Sequence, residues 1–489
     1  MKKGFDNEKY IAMQSQHIRE RIAKFDNKLY LEFGGKLYDD HHASRVLPGF
    51  EPDSKLRMLM KLSDQAEIVI VISAEDIEKN KVRGDLGITY DDDVLRLKGI
   101  FEDMGLYVGS VCITHFAGQY SAQLFQSRLE KLGVPVYRHY LIPGYPNNIP
   151  RIVSEEGFGR NDYIKTSRPL VVVTAPGPGS GKMATCLSQL YHEHERGVDA
   201  GYAKFETFPI WNLPLNHPVN LAYEAATADL NDVNMIDPFH LEAYGETTVN
   251  YNRDVEIFPV LKAIFEKIYG RCAYKSPTDM GVNMAGNCIV DDAACCEASH
   301  QEIIRRYYQT LLKVARGKAP EAEAAKIELL LHKAGIDKTD RPVVPAALAR
   351  EKESGTEAAA MELPDGTIIT GKTTDLLGAC SALLINALKY LGKINHEVRL
   401  ITPEVIAPIQ KLKVEYLGSR NPRMHMEEVL IALSASSTTN GLADMALRQL
   451  PNLRGAQVHT TAMLSETDER TFQRLGVMQT CEPVQSSGK

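Results

Sequence analysis

The chain has 489 residues, of which 44% are hydrophobic and 24% charged, and its formal net charge is −7. This composition is typical of a folded globular protein, and the length predicts more than one domain. No apolar run is long enough to span a membrane, and no basic stripe offers the clustered charge that a nucleic-acid backbone requires, so neither is expected as a partner.

The chain begins without the apolar core of a signal peptide, and none of its eight cysteines forms a Cys-x-x-Cys pair. Scattered thiols of this kind are typical of a reducing compartment, where disulfides are rare. The sequence therefore predicts a cytoplasmic protein with free cysteines.

Strand and helix patterns alternate through the first half of the chain. Residues 66–73 and 169–174 are continuous apolar runs, the pattern of strands buried on both faces. Residues 91–105 lie between these strands and have the pattern of a helix that ends at a glycine. This alternation predicts an α/β fold with a mainly parallel sheet and helices on both of its faces.

From about residue 255 the apolar spacing becomes helical, and strand patterns return after a polar, proline-containing stretch. The later strands are predicted at 366–370, 397–401 and 456–460. The predicted domains are an α/β domain with a phosphate-binding loop, a helical subdomain and a smaller C-terminal α/β subdomain, at 1–255, 256–335 and 336–489.

One segment, residues 366–373, satisfies the nucleotide-binding pattern G-x-x-x-x-G-K-[ST] letter for letter, as Gly-Thr-Ile-Ile-Thr-Gly-Lys-Thr. Its interior is β-branched, and such residues resist the tight turns through which backbone amides surround a phosphate. We therefore expect a strand here rather than a phosphate-binding loop.

A second segment, Ala-Pro-Gly-Pro-Gly-Ser-Gly-Lys-Met at 175–183, departs from the pattern twice. Pro176 stands in place of the first glycine, and Met183 in place of the hydroxyl residue. Its context is nevertheless better, because it follows a buried strand and opens an apolar helix whose N-terminus attracts anions. The predicted phosphate-binding residues are Gly177, Gly179, Ser180, Gly181 and Lys182.

Met183 changes where a magnesium ion is expected to bind. Without a hydroxyl group beside the lysine, magnesium must be bound elsewhere, by Thr185 or by a carboxylate, or be absent. Asp237 follows a short apolar strand, where a carboxylate can bind magnesium or its water. His240 and Glu242 are close enough in sequence to serve as acid–base groups.

The predicted catalytic residues are therefore Asp237, His240 and Glu242, with Asp237 also as the metal ligand. The alternative is structural, because Asp-Pro starts turns well and a lone histidine is often a packing residue.

Two polar stretches are candidates for substrate binding. Residues 33–49 contain Lys36 and Arg45, cations that can bind a carboxylate or a phosphate. Residues 209–220 set polar side chains among prolines and contain the single tryptophan, Trp211, followed by Asn212. This pattern indicates a shaped loop, and a rigid surface crossover is the alternative interpretation.

Four long motifs resemble a bacterial family of uncharacterised proteins, domain of unknown function family 1846. They are Phe-Gly-Gly-Lys-Leu-Tyr-Asp-Asp at 33–40, the stretch from Thr174 to His192, Lys-Phe-Glu-Thr-Phe-Pro-Ile-Trp-Asn-Leu-Pro-Leu at 204–215, and Asp-Pro-Phe-His-Leu-Glu-Ala-Tyr-Gly at 237–245. The resemblance spans essentially the whole chain. It implies an α/β N-terminal region, a helical middle portion and a separate C-terminal α/β subdomain, and it implies no established activity and no catalytic residues.

The expected function is that of an enzyme that binds a nucleotide or phosphometabolite, of the phosphoryl-transferase or ATP-dependent ligase type. Its expected partner is a small phosphorylated molecule, and the candidate cofactors are ATP or another nucleotide, and magnesium. Two alternatives remain open: a non-catalytic binding or regulatory protein for a phosphorylated ligand, and a metal-dependent hydrolase. A chain of several lobes is also compatible with a homo-oligomer.

Overall fold

The computed structural model of the protein describes residues 3–35, 37–38, 40–83 and 86–485. The chain divides into two compact units, Lys2–Ser299 and His300–Lys489, which we call the N-terminal and C-terminal units. The division predicted from the sequence, with a helical subdomain of its own at 256–335, remains a prediction.

The described residues form strands and helices throughout both units. The strands are β1 (Leu29–Phe33), β2 (Ala66–Ser73), β3 (Val82–Arg83), β4 (Ile88–Thr89), β5 (Tyr107–Phe116), β6 (Val136–Tyr140), β7 (Leu170–Thr174), β8 (Gly201–Phe205), β9 (Asn234–Ile236), β10 (Val249–Tyr251), β11 (Gly281–Val282), β12 (Ala358–Glu362), β13 (Ile368–Lys372), β14 (Gln457–Thr460) and β15 (Met478–Cys481). The helices are α1 (Asn7–Ala23), α2 (His41–Val46), α3 (Ser54–Met60), α4 (Ala74–Glu78), α5 (Tyr90–Asp103), α6 (Tyr120–Lys131), α7 (Ile149–Ile152), α8 (Lys182–Glu195), α9 (Pro218–Ala226), α10 (Pro238–Tyr244), α11 (Asn252–Tyr269), α12 (Pro277–Met280), α13 (Asp292–Ala315), α14 (Glu321–Ala334), α15 (Val343–Ser354), α16 (Ala379–Leu391), α17 (Pro403–Lys411), α18 (Met426–Ser437), α19 (Gly441–Leu447) and α20 (Glu466–Arg474).

Seven of the described strands form a parallel sheet in the N-terminal unit, in the order β11-β8-β1-β7-β2-β5-β6. In the centre of the sheet, Leu31 of β1 lies between Val172 of β7 and Ala203 of β8. Strands β1, β7 and β2 are buried along their whole length, which explains why their sequences are almost entirely apolar. The predicted parallel α/β sheet is confirmed.

Helices cover both faces of this sheet. The connections β1-β2-β5-β6 step in one direction along the sheet and β7-β8-β11 step in the other, so right-handed crossovers place their helices on opposite faces. Helix α8, in the β7–β8 connection, packs together with α11 on a core that includes Tyr30, Val171 and Tyr202. Helix α5, in the β2–β5 connection, packs against β2 and β5.

The C-terminal unit contains a smaller mixed sheet in the order β13-β12-β14-β15. Strand β12 runs antiparallel to β13 and β14, and β14 runs parallel to β15. Helix α16 buries Leu383 and Leu388 in a core with Met361 and Val458. The predicted smaller C-terminal α/β subdomain is thus present, with strands at two of its three predicted positions.

The strand predicted at 397–401 is wrong. This segment begins in a turn, where the Val398 amide donates to the Asn395 carbonyl at 3.1 Å and the Asn395 side chain accepts from the Glu397 amide at 3.0 Å. Its apolar residues pack without strand pairing, since Leu400 is buried in the helical core of this unit.

None of the helices in the described ranges has the length and apolar composition that crossing a membrane requires.

Candidate functional site

The carboxyl edge of the parallel sheet contains a point where the chain changes direction. Strand β1 connects to β2 by skipping β7, whereas β7 connects to β8 by skipping β1. The chain therefore leaves the adjacent strands β1 and β7 in opposite directions along the sheet. In open α/β sheets such a point leaves a crevice at the carboxyl ends of the strands, and ligands bind there.

Residues 175–181, which we call the glycine loop, lie at this point because they join β7 to α8. Gly179 has a φ of +76° and Gly181 a φ of +86°, in the left-handed region that glycine adopts without strain. Gly181 is the N-cap residue of α8, and no side chain caps this end of the helix. Among the residues that the structure describes, the amides of 179–184 have no acceptor, so these donors are available at the positive end of α8.

The glycine loop is anchored to the neighbouring elements. The Thr114 hydroxyl, near the end of β5, donates to the Ser180 carbonyl at 2.6 Å, and the Ser180 hydroxyl donates to the Gly177 carbonyl at 2.7 Å. A side chain on Gly177 would collide with the hydroxyl group of Tyr90 in α5. The loop conformation is therefore fixed by strand β5 and helix α5 as well as by its own glycines.

Lys182, the first residue of α8, is half-buried, and its ammonium group has no hydrogen-bond or ion-pair partner within the described part of the chain. Burial lowers the pKa of Lys182; the nearby Glu32 carboxylate opposes this effect, and Lys204 adds to it. Burying a cation without a counter-charge is unfavourable, and a bound anion would remove this cost.

A cluster of four buried charged residues and a tyrosine lies near Lys182, on strands β1, β8 and β10, directly after β8, and on helix α11. Glu32 of β1 and Lys204 of β8 are direct neighbours in the paired strands. The Lys204 ammonium group contacts Glu206 at 2.7 Å, donates to the Tyr251 hydroxyl at 2.5 Å and is paired with Asp254. We call these five residues the β1–β8 charge cluster. Buried charges of this kind are costly and are concentrated at functional sites.

The charged groups of the cluster shift each other's pKa values. Burial disfavours the Lys204 ammonium ion, but the carboxylates of Asp254 and Glu206 outweigh this effect and raise the pKa of Lys204. Burial raises the pKa of Glu206 to about 7, with Lys204 acting against this shift and Asp254 adding to it. Glu206 is thus poised to gain or lose a proton near neutral pH.

Two tyrosines flank Glu32. The Tyr202 hydroxyl donates to one Glu32 oxygen at 2.6 Å. Tyr145, in the loop after β6, has its pKa raised to about 12 by burial and by the Glu32 charge.

The other side of the glycine loop is formed by the ends of β2 and β5. The Ser73 hydroxyl and His115 Nδ1 are 3.1 Å apart. His115 has a φ of +51°, a conformation that costs a non-glycine residue roughly 1–3 kcal/mol and is concentrated at functional sites. Because Thr114 contacts the glycine loop, this strained histidine lies next to it.

A cavity of about 310 Å³ opens directly beyond His115, at the ends of β5 and β6. It is lined by Phe116, Ala117, Gly118, Tyr140, Leu141 and Arg160. Its lining combines two aromatic rings with the guanidinium group of Arg160.

The structure places the predicted acid–base residues elsewhere. Asp237 is fully buried and caps α10: one carboxylate oxygen accepts from the amides of Phe239 and His240 at 3.0 and 3.1 Å. The other oxygen accepts from the amide and hydroxyl of Thr278 at 3.2 and 2.7 Å. All of these donors belong to the protein, so the geometry favours a structural role for Asp237.

His240 contacts the Ser276 hydroxyl through Nδ1 at 2.9 Å, and Glu242 is exposed on α10. Among the described residues, no hydrogen bond or ion pair connects Asp237, His240 or Glu242 to the glycine loop. Their predicted catalytic roles remain predictions.

The predicted substrate-binding residues are also dispersed. The Trp211 ring packs on Gly281 at the edge strand β11, and the Asn212 amide donates to the Asn287 side chain at 3.4 Å. Arg45 is half-buried on α2, which packs against α9. Lys36 lies outside the described residues. The predicted phosphate-binding residues lie together in the glycine loop and at the first position of α8, and Asp237 and His240 lie together at the start of α10.

Sequence analysis missed the β1–β8 charge cluster, although a signal was present. The apolar strands Leu-Tyr-Leu-Glu-Phe and Gly-Tyr-Ala-Lys-Phe each contain one charged residue, Glu32 and Lys204, one position before the carboxyl end. His115 gives no such signal, because a left-handed φ at a histidine depends on tertiary contacts.

These features define an open parallel α/β protein with a candidate ligand site at the carboxyl edge of its sheet. The chain belongs to the family described as "Domain of unknown function DUF1846": the N-terminal family model matches residues 3–335 and the C-terminal one matches residues 339–489. The resemblance seen in the sequence motifs is thus confirmed.

Several streptococcal proteins are similar over their full length. A UPF0371 protein of Streptococcus thermophilus is 58% identical over 482 residues, covering 99% of this chain and 98% of the relative. A UPF0371 protein of Streptococcus sanguinis is 58% identical over 485 residues, with 99% and 98% coverage. One of Streptococcus pneumoniae serotype 19F is 57% identical over 482 residues, again with 99% and 98% coverage. These names state a family and no activity.

Proposed function

We propose that the protein binds a small phosphorylated molecule at the glycine loop and acts on it as an enzyme of the phosphoryl-transferase or ATP-dependent ligase type. The observation that carries this proposal is the Lys182 ammonium group, which has no partner among the described residues and adjoins the available amides of 179–184. A phosphate group, with several charged oxygens, satisfies the cation and the amides together.

Glu206 is the proposed acid–base group. Its pKa of about 7 means that both protonation states are populated near neutral pH, as proton transfer requires. It follows β8, which is separated from β7 by β1 alone. Two strand spacings amount to about 10 Å, a distance that a phosphorylated metabolite or nucleotide spans.

Glu32 is the proposed magnesium ligand if the phosphorylated molecule is a nucleotide. It lies on β1, between the glycine loop and Glu206, and only one of its oxygens has a hydrogen-bond partner within the described ranges. Magnesium is commonly bound by one or two carboxylates together with substrate phosphates, so this donor set fits. Asp237, by comparison, accepts four hydrogen bonds from the protein, and Thr185 is fully buried.

A cytoplasmic location is part of the proposal. All eight cysteines are free thiols, and six of them are buried, which supports a reducing compartment. Self-association into a homo-oligomer remains a prediction.

The test combines binding with turnover. Isothermal titration with ATP, ADP, GTP and pyrophosphate in the presence of magnesium measures binding. Phosphorus NMR of the same mixtures, after addition of alcohol, amine and carboxylate co-substrates as acceptors, measures product formation. We expect at least one of these ligands to bind the wild-type protein and binding to be weakened about 10- to 100-fold in Lys182→Ala. Glu206→Gln is expected to keep binding and to lower turnover by roughly 100-fold or more.

Each outcome discriminates between the candidate functions. Equal binding by wild type and Lys182→Ala, or no binding by either, contradicts the proposal. Binding by the wild type without turnover of any co-substrate contradicts the enzymatic part and leaves the binding or regulatory protein as the function.

A further inference from the structure

A histidine, a carboxylate and a cysteine from two separate segments converge near the beginning of α13. Asp292 is the first residue of α13, and Cys296 lies one turn later on the same face of the helix. His217 belongs to the loop before α9 and caps that helix. All three residues lie in the N-terminal unit, and none of them belongs to the glycine loop or to the β1–β8 charge cluster.

The donor atoms of the three side chains are close together. His217 Nε2 is 3.0 Å from Asp292 Oδ1 and 3.6 Å from Cys296 Sγ. Cys296 Sγ is 3.8 Å from Asp292 Oδ2. In a tetrahedral zinc site, bonds of about 2.3 Å to sulfur and about 2.0–2.1 Å to nitrogen and oxygen place neighbouring ligand atoms about 3.3–3.6 Å apart. The two distances to Asp292 involve different carboxylate oxygens. With one ligand atom taken from each residue, the three atoms lie within 4.8 Å of one another, close to the spacing that such a tetrahedron requires.

We propose that His217, Asp292 and Cys296 bind a zinc ion. A thiolate, an imidazole and a carboxylate together form a ligand set for zinc, whereas magnesium and calcium prefer oxygen ligands alone. The Asp292 side chain is 62% exposed, so the site is open to solvent on the side of Asp292. Three protein ligands with an accessible fourth position are typical of catalytic rather than closed structural zinc sites.

Metal binding requires two changes of protonation. The Cys296 thiol releases its proton to solvent, because the thiolate is the ligand. His217 Nδ1 now accepts from the Val219 amide at 3.3 Å, so the neutral imidazole carries its proton on Nε2, facing Asp292. When the metal occupies Nε2, this proton moves to Nδ1 and the long contact with Val219 is given up. The proposed site therefore gains a metal bond in exchange for one weak capping hydrogen bond.

The sequence contains a signal for this site that is not a Cys-x-x-Cys pair. Asp292 and Cys296 are four residues apart, the spacing at which two side chains of one helix can bind a common ion. The histidine is 75 residues away from Asp292, so only the fold brings it to the helix.

The experiment uses the full-length protein, reduced and freed of metal by dialysis against EDTA. Zinc is titrated in competition with a chromogenic zinc indicator, and cobalt(II) serves as a spectroscopic substitute. We expect the wild type to bind a single zinc ion per chain. The cobalt form should show a sulfur-to-metal charge-transfer band and the intense visible bands of tetrahedral cobalt.

Three variants locate the site. Cys296→Ser and His217→Asn should each weaken zinc binding by about 100-fold or more, since loss of second-shell groups alone costs 10–100-fold. Asparagine is a good helix N-cap, so His217→Asn keeps the capping of α9 while it removes the imidazole. Cys272→Ser is the matched control, because Cys272 is also a half-buried free thiol and donates to the Tyr274 carbonyl instead.

The results that would overturn the proposal are specific. They are a wild type that binds no stoichiometric zinc, a cobalt spectrum without the sulfur band, or equal zinc affinities in Cys296→Ser and Cys272→Ser. Circular dichroism confirms that each variant is folded. If Cys296→Ser does not fold, His217→Asn and Asp292→Asn decide the question: weakened binding in both supports the site, and unchanged binding in both rejects it.

Discussion

The two glycine–lysine segments of this chain show how differently a similar pattern can fold. Residues 366–373 match the nucleotide-binding pattern in every position, and the structure makes them a hairpin strand: β13 pairs antiparallel with β12, and Gly366, with a φ of +84°, lies in the turn. Residues 175–183 break the pattern twice, yet they follow a central parallel strand and begin a helix.

The difference lies in what the backbone amides do. In β13 the backbone is hydrogen-bonded to β12, and Gly371 is packed against the backbone of α16 at Leu383. At the glycine loop and the first turn of α8, the amides of 179–184 have no acceptor among the described residues, and charged side chains lie nearby. A binding site for phosphate therefore depends on unpaired donors at a helix end more than on the letters of the motif.

The largest effect on stability is expected in the β1–β8 charge cluster, which lies near the glycine loop and not near β13. Lys204→Met leaves Glu206 and Asp254 buried without their cation, which should lower the free energy of unfolding by about 3–5 kcal/mol. Lys98→Met is the control, because the Lys98–Glu102 pair at 2.6 Å is partly exposed and should contribute less than about 1 kcal/mol. Urea denaturation measures both values, and similar losses in the two variants would contradict the account of the charge cluster.

A smaller effect should appear in the pH dependence of stability. Burial raises the pKa of Glu206 from an ordinary 4.5 to about 7, so the folded protein binds this proton more tightly than the unfolded chain does. The resulting stabilisation is complete below about pH 4.5 and is lost as the pH rises through about 7. Wild type should therefore lose stability between these values relative to Glu206→Gln. Parallel stability–pH curves for the two proteins would show that Glu206 has an ordinary pKa.

The smallest effect compares one glycine from each segment. Gly179 and Gly366 both have positive φ, +76° and +84°, and in both cases an added methyl group would have no atom within 4 Å. Gly179→Ala and Gly366→Ala should each cost about 1–2 kcal/mol of stability through backbone strain. Binding of pyrophosphate should weaken in Gly179→Ala alone. Equal weakening in both variants would mean that strain, and not loss of the loop conformation, is responsible.

The fold could be predicted from the sequence to a large extent, because burial on both faces leaves an unmistakable apolar run such as Val171–Thr174. The glycine loop could be located because several glycines between a buried strand and a helix are typical of a phosphate-binding turn. The rest of the candidate site could not be assembled in the same way. Glu32 and Lys204 are 172 positions apart in numbering but adjacent in register, and only strand order decides that.

For the predicted acid–base residues, the sequence indicated a site that the described residues do not assemble at the glycine loop. Asp237 has the sequence context of a magnesium ligand, but the same Asp-Pro context also caps helices. In the structure its carboxylate accepts hydrogen bonds from the first turn of α10 and from Thr278. Sequence alone does not separate these two roles, because both need a carboxylate directly after a strand.

We propose that the imperfect segment at 175–183, and not the perfect one at 366–373, binds phosphate. The most direct measurement is isothermal titration of pyrophosphate, and of the tightest-binding nucleotide, against Lys182→Ala and Lys372→Ala. The account predicts binding weakened about 10- to 100-fold in Lys182→Ala, the cost of losing a charged hydrogen-bond donor, and unchanged binding in Lys372→Ala. Weakening in Lys372→Ala with normal binding in Lys182→Ala would contradict it.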